Sequence, residues 1–176
     1  MLENDPLIVE RSSENIKFCV VTKDRLGDVE NEGLRNLVAH WLDSKNNNDF
    51  VLRSDIDVLE WPHMIGWAVV YDYLIDEDNY LCRIFGENLL AQSGEDMTGK
   101  KLTEYPERLH LIVRKQYEGV RATNLPICVT YRARTVRSWR DNPEIEYGAP
   151  VEKVALPLSR SGSAVDCIMV SSREIG

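Results

Sequence analysis

The histidines and glycines of this chain lack the spacing that metal-dependent or phosphate-binding chemistry requires. His40, His63 and His110 stand far apart, and none belongs to an H-x-x-x-H or H-E-x-x-H pattern. No G-x-G-x-x-G sequence and no G-K-[ST] sequence is present that would cradle a phosphate group. We therefore expect neither a metal site nor a nucleotide phosphate loop.

Two aspartates come closest to the paired carboxylates of an acid and base catalyst. Asp55 and Asp57 lie two residues apart on a segment that reads as a capping turn. That position favours one aspartate as a helix cap and the other as an ion-pair partner of Arg53 or Arg83. We expect no catalytic residue, and the chain is not predicted to be an enzyme.

The cysteines indicate a reducing environment. They are widely separated, have apolar neighbours and form no C-x-x-C pair that would suggest zinc binding or redox chemistry: Cys19, Cys82, Cys128 and Cys167. The N-terminus is acidic and has no secretory pattern, and no apolar stretch approaches the length of a membrane span. We expect a cytoplasmic protein without a membrane partner.

A polar side chain on a predicted strand is the best candidate for contact with a ligand. Alternation along Tyr80 to Phe85 places Cys82 and Ile84 on one face, with Arg83 and Phe85 on the other. If Arg83 faces a cavity, it can hold an anionic ligand, and the alternative is an ion pair with Asp72 or Asp57.

A mixed apolar and hydroxyl-bearing set of side chains is the predicted wall of a small-molecule cavity. Its members are Trp67, Tyr71, Arg83, Leu89, Leu90, Tyr117, Tyr131 and Met169. The apolar members describe a filled core equally well, and both alternatives stay open.

Several elements must position these residues. A helix is predicted where Leu34, Leu37, Val38, Trp41 and Leu42 form one apolar face. That face either packs on its own domain or forms an interface with a second copy, in which case Leu34, Leu37 and Trp41 are the contact residues.

The remaining pattern predicts an α+β fold. A hairpin over residues 65–74 and 80–85, with an acidic turn between its strands, is followed by short helices, by a longer helix over 106–122, and by strands over 127–137, 151–158 and 164–171. One stripe of the longer helix is formed by Leu109, Ile112, Val113, Gln116, Tyr117 and Val120. This order suits an antiparallel sheet of five strands with helices on one face. An N-terminal helix and a short added strand over 16–22 complete the prediction.

The chain resembles the PAS-fold family, in particular the stand-alone PAS-like domain proteins common in alphaproteobacteria. The resemblance runs from about Leu34 to Ser171. It lies in the Trp41 helix, Arg53-Ser54-Asp55-Ile56-Asp57, Tyr71-Asp72, Arg83-Ile84-Phe85-Gly86, Met97-Thr98-Gly99-Lys100-Lys101-Leu102 and Leu156-Pro157-Leu158-Ser159-Arg160-Ser161-Gly162. We accordingly divide the chain into an N-terminal extension, 1–29, and a PAS-like domain with its flanking helix, 30–176.

The resemblance implies a sensory or signalling domain that binds a small organic molecule and passes signals through its N-terminal helix or open sheet face. Haem-binding members use a histidine on the longer helix, but His110 stands about one turn before the matching position, which Val113 occupies. The flavin motif of light sensors would lie on a short helix, whereas Cys82 to Phe85 is a predicted strand. We expect neither haem nor flavin.

Charge sets the expectations for partners. A net charge of -8 disfavours nucleic-acid binding. Residues 100–140 nevertheless hold ten basic and three acidic residues, and this asymmetry suits a homodimer or an acidic signalling partner. A pure interaction module with a filled core is the alternative function, using the Trp41 helix or the basic strand residues Arg132, Arg134, Arg137 and Arg140.

Overall fold

Six strands form one open antiparallel sheet. A computed structural model of the chain describes residues 8–46, 48–57, 61–93, 95–105, 107–139 and 142–176. The strand order across the sheet is β1-β4-β5-β6-β2-β3. The strands are β1 Ile8–Val20, β2 Ala68–Leu74, β3 Asn79–Phe85, β4 Ile127–Trp139, β5 Asn142–Leu158 and β6 Cys167–Glu174.

Helices of two kinds connect the strands. The α-helices are α1 Glu32–Lys45, α2 Glu87–Ser93 and α3 Glu107–Thr123. Short 3-10 helices cover Lys23–Asp28, Arg53–Asp55, Pro62–Met64, Ile75–Glu77 and Leu102–Glu104. Within the described part of the chain, no helix combines the length and hydropathy needed to cross a membrane.

The sheet is covered on both faces, which corrects the prediction of helices on one face. Side chains alternate across a strand, and on β5 Val154 and Leu156 face the α1 layer while Ala155 faces the α3 layer. Near-continuous apolar runs such as that of β5 are typical of a strand buried on both faces. The predicted stripe on the longer helix supplies the second layer through Val113, Tyr117 and Val120.

Helix α1 packs on its own sheet. Leu34, Leu37 and Trp41 are at most 2% exposed, and the indole Nε1 of Trp41 donates a hydrogen bond of 2.7 Å to the carbonyl of Pro157. Of the two alternatives left open, packing on its own domain is confirmed, because the three residues predicted as an interface are already covered by their own chain. Asn31 caps the helix by accepting a hydrogen bond from the Leu34 amide at 3.1 Å.

The added N-terminal strand is longer than predicted and belongs to the main sheet. β1 pairs with β4 from Ile8 opposite Ser138 to Val20 opposite Ile127, with a register shift between Glu14 and Lys17. The sheet therefore has six strands, and the strand within the predicted extension is one of its two edges.

A bulge in the β2–β3 hairpin changes which side chains share a face. Val70 pairs with Ile84 and Tyr71 pairs with Cys82, so Arg83 has no direct partner on β2. Cys82 and Phe85 consequently both contact the α3 layer, whereas simple alternation had put them on opposite faces.

A buried carboxylate joins the sheet to the start of α1. Glu152, on β5, is 0% exposed and accepts hydrogen bonds from the backbone amides of Glu30 at 2.8 Å and Asn31 at 2.7 Å. The carboxylate satisfies two amides at the entry to α1 and is itself satisfied by them.

We expect Glu152→Gln to lower the free energy of unfolding by about 1 to 3 kcal/mol, because an amide nitrogen in place of one oxygen cannot accept a hydrogen bond. Urea unfolding followed by circular dichroism measures the change. Asp43→Asn, at an exposed position of α1, is the control and should alter stability by less than about 0.5 kcal/mol. Equal effects of the two variants would contradict this role of Glu152.

Candidate functional site

Tyrosine side chains pack between α3 and the sheet. Tyr71 of β2 and Tyr80 of β3 both pack against Tyr117 of α3, with ring centroids 5.2 and 5.3 Å apart. All three side chains are buried. We call these residues, together with Tyr105, the tyrosine layer.

Hydroxyl groups inside this layer bond to one another. The hydroxyls of Tyr71 and Tyr105 are 2.6 Å apart, a distance that requires one to donate to the other. Burial raises the pKa of Tyr105 to about 12 and raises the pKa of Tyr71 well above its ordinary value. The layer thus holds neutral phenols that can both donate and accept hydrogen bonds.

A lysine lies beside the tyrosine layer. Lys153 of β5 is partly buried, and its Nζ donates a hydrogen bond of 2.5 Å to Oε1 of Gln116 on α3. The same ammonium group lies 6.0 Å from the ring centroid of Tyr117. Loss of solvation lowers the pKa of Lys153 to about 8.

A histidine contributes a further polar atom. His110 lies on α3 three residues before Val113 and seven before Tyr117, which places all three on one face of the helix. Its Nδ1 is buried and has no hydrogen-bond partner in the described residues. A buried polar atom without a hydrogen-bond partner is uncommon in the core of a native protein.

The structure brings together five of the eight residues predicted to line a cavity. They contact the α3 face of the sheet: Trp67, Tyr71, Leu89, Tyr117 and Tyr131. Met169 faces the α1 layer, because it stands one position away in the alternation of β6. Leu90 is half-buried and belongs to neither core cluster, and Arg83 points to a different site.

Sequence reasoning missed the lysine and its amide partner. Strand alternation places Lys153 on the same face as Ala155, but the desolvation of the lysine depends on α3 and has no local signal in the sequence. Gln116 was assigned to the stripe of α3 without a partner. His110 was considered only as a ligand for haem or metal.

Arg83 takes part in a second cluster, centred on the buried Asp72. Asp72 is 3% exposed and accepts from Arg83 Nε at 2.7 Å and Arg53 Nη1 at 2.9 Å. Arg160 Nη1 lies 3.5 Å from the same carboxylate and also pairs with Asp166. We call these three arginines and Asp72 the arginine cluster.

The arginine cluster tests the predictions made for Arg83 and for the two aspartates, Asp55 and Asp57. The ion pair of Arg83 with Asp72 is confirmed, and Arg83 does not face the tyrosine layer. The predicted side-chain cap is absent at the turn Arg53–Asp55, where no side chain of the described residues makes a capping hydrogen bond. Arg53 pairs with Asp72. Four segments that carried the family resemblance meet at this cluster.

The geometry offers no metal centre in the described part of the chain, where no three histidine, cysteine or carboxylate side chains are grouped to hold an ion. Comparisons with protein-family models, with curated proteins and with solved structures find no match to this chain. The PAS resemblance therefore stays a prediction.

The raised tyrosine pKa values predict a stability loss in alkaline solution. The unfolded pKa is near 10.0 and the folded pKa of Tyr105 is about 12, so unfolding releases a proton between these values. Stability is fully present below pH 10 and falls as pH rises through this window. Urea unfolding at intervals across it should show a shallower fall in Tyr105→Phe.

The control for this pH series is Tyr147→Phe, because Tyr147 is 50% exposed. Its pH dependence should match that of the parent protein. A slope that is equally shallow in both variants would contradict the assignment to the tyrosine layer.

Removing the charge at the centre of the arginine cluster should destabilise the protein. We expect Asp72→Asn to cost about 1 to 3 kcal/mol, a value discounted because Arg53 and Arg83 keep partial access to solvent. Asp28→Asn breaks the exposed pair with Arg25, whose length of 2.8 Å is similar, and should cost less than about 1 kcal/mol. Chemical unfolding of both variants compares them, and equal costs would contradict a structural role for the cluster.

Proposed function

We propose that the chain is a PAS-type sensory module that binds a small molecule between α3 and the sheet and has no catalytic step of its own. The tyrosine layer is the observation that carries this proposal. The four phenols of the layer, with an ammonium group, an amide and an imidazole nitrogen that has no partner among the described residues, stand where an apolar core would be more stable. Polar groups of this kind are suited to orienting a bound molecule.

The topology supports the same proposal. Strands β2 to β6 form a continuous antiparallel sheet in which the first hairpin lies beside the last strand. Helices α2 and α3 lie between the hairpin and the last three strands in the chain. This arrangement is compatible with a PAS-like fold and leaves α1 on the opposite face as a route for a signal.

A physical link between the two faces runs through β5. Lys153 contacts α3, and its neighbour Glu152 binds the entry to α1. A ligand shifts a conformational equilibrium by its difference in affinity for the two states. A ligand that binds more tightly at one position of β5 therefore moves both layers, because β5 contacts both. We propose that α1 reports the state of the tyrosine layer.

Native mass spectrometry of the purified protein tests the proposal. We expect a bound small molecule whose mass disappears from the spectrum under denaturing conditions. Val113→Trp enlarges a buried side chain in the layer and should remove the adduct, while Leu111→Trp, 54% exposed on the same helix, should retain it. Circular dichroism verifies that both variants fold.

Protein without any adduct, in repeated preparations and after exposure to a metabolite extract, would contradict ligand binding. An adduct held equally by Val113→Trp and Leu111→Trp would place the molecule outside the tyrosine layer.

Self-association is a second candidate function, favoured by the surface of β1. This edge strand carries Ile16 and Phe18, which are 42% and 53% exposed. A long edge strand with exposed apolar residues is suited to pairing with another strand. The basic strand is the other predicted interface, and of its four arginines Arg140 lies outside the described residues.

Light scattering after size-exclusion chromatography tests self-association. We expect a dimer for the parent protein and a monomer for Phe18→Ser, because the substitution removes an apolar contact at the edge. Ile84→Ser changes an exposed residue of the opposite edge strand and should remain dimeric. A monomeric parent protein, or loss of the dimer only in Ile84→Ser, would contradict pairing through β1.

A further inference from the structure

The ammonium group of Lys153 has no counter-charge among the described residues. Its one hydrogen bond goes to the neutral amide of Gln116, and no carboxylate pairs with it in the described residues. The ion pairs of the α3 region lie elsewhere, as in Arg114 with Asp78 and Glu118. Partly buried charges are normally paired, because desolvation without compensation is costly.

The ammonium group of Lys153 has more donors than Gln116 uses. An ammonium has three donors, and Gln116 uses one of them. Tyr117 presents its ring to the same group, and Tyr131 lies on the adjacent strand in the same face of the sheet. Because Lys153 keeps some solvent access, a ligand can reach it without unfolding the layer.

The charge of the layer limits the charge of what it binds. Two other cations border the layer, and both stack on rings: Arg121 lies 3.3 Å from the centroid of Tyr73, and Arg173 lies 4.1 Å from that of Trp67. Lys153 lies farther from a ring, 6.0 Å from the centroid of Tyr117, and has donors that an anion can accept from. One ammonium matches a single negative charge better than a phosphate dianion.

We propose that this site takes a small organic carboxylate, whose acid group bonds Lys153 and whose apolar body lies against Tyr117 and Tyr131. The inference rests on the proposed function and specifies the ligand class. The carboxylate supplies the counter-charge that the fold leaves out, and its two oxygens use the free donors of the ammonium. The aromatic surfaces favour a body that is flat and apolar.

His110 gives the ligand a second polar contact. It precedes Gln116 by six residues on α3, which corresponds to about 9 Å along the helix axis. Its buried Nδ1 has no partner in the described residues and can bond a hydroxyl group. We therefore choose a test ligand that carries a hydroxyl group as well as a carboxylate.

Isothermal titration calorimetry with 4-hydroxyphenylacetate and its neutral amide, 4-hydroxyphenylacetamide, tests the inference. The acid should bind the parent protein at least about tenfold more tightly than the amide, because a charged hydrogen bond is stronger than a neutral one. Lys153→Met keeps the length of the side chain, removes the charge and should abolish this preference. Lys115→Met, at an exposed position of α3, should preserve it.

Equal affinities for acid and amide in the parent protein would overturn the carboxylate assignment while leaving small-molecule binding intact. An acid preference that survives in Lys153→Met would also overturn it. Binding of neither probe would overturn this inference, and native mass spectrometry then decides separately whether another molecule binds. A response only to peptides with acidic side chains would overturn it in favour of a protein partner.

Discussion

The hydrogen bonds of the Glu152 carboxylate to the amides of Glu30 and Asn31 are the interaction on which the arrangement of the two layers depends. They fix the start of α1 to the centre of the sheet, and the indole of Trp41 fixes the same helix further along, at Pro157. Both anchors are on β5. The strand that holds α1 is therefore the strand that carries Lys153 into the opposite layer.

Strand alternation gives β5 a contact with each of the two layers. Adjacent residues of a strand point to opposite faces, so a displacement of β5 that improves a contact of Lys153 also moves Glu152. Packed interiors respond as connected units, because close packing leaves little free volume to absorb a shift. The proposed sensory function requires this property, since the proposed binding layer and reporting helix must share one structural state. The arginine cluster holds the β2–β3 hairpin in place beside them.

Much of this architecture could be predicted from residue patterns. The apolar stripe of α1 and that of α3, the hairpin with its acidic turn, and the last three strands are local signals of periodicity and turn chemistry. The pairing of Arg83 with Asp72 was one of two open alternatives, and burial of the carboxylate selects it. The placement of α1 against its own sheet was likewise open until the packing of Trp41 was known.

Other features depend on tertiary structure and could not be read from local patterns. The β2–β3 bulge moves Phe85 to the face of Cys82, and the sequence of that strand has no residue pattern that predicts a bulge. The length of β1 depends on its pairing with β4 rather than on its own composition. The desolvation of Lys153 arises only when α3 lies across β5, so its side chain reads as an ordinary surface lysine in the sequence.

Hydrogen exchange at the amides of Glu30 and Asn31 tests most directly the claim that β5 couples the two layers. Rates measured by NMR in Lys153→Met and Lys115→Met, each taken relative to the amide of Ile168, separate local from global opening. The coupling predicts altered exchange at Glu30 and Asn31 in Lys153→Met and unaltered exchange in Lys115→Met. Exchange that changes only along α3 and β4 in Lys153→Met would contradict it.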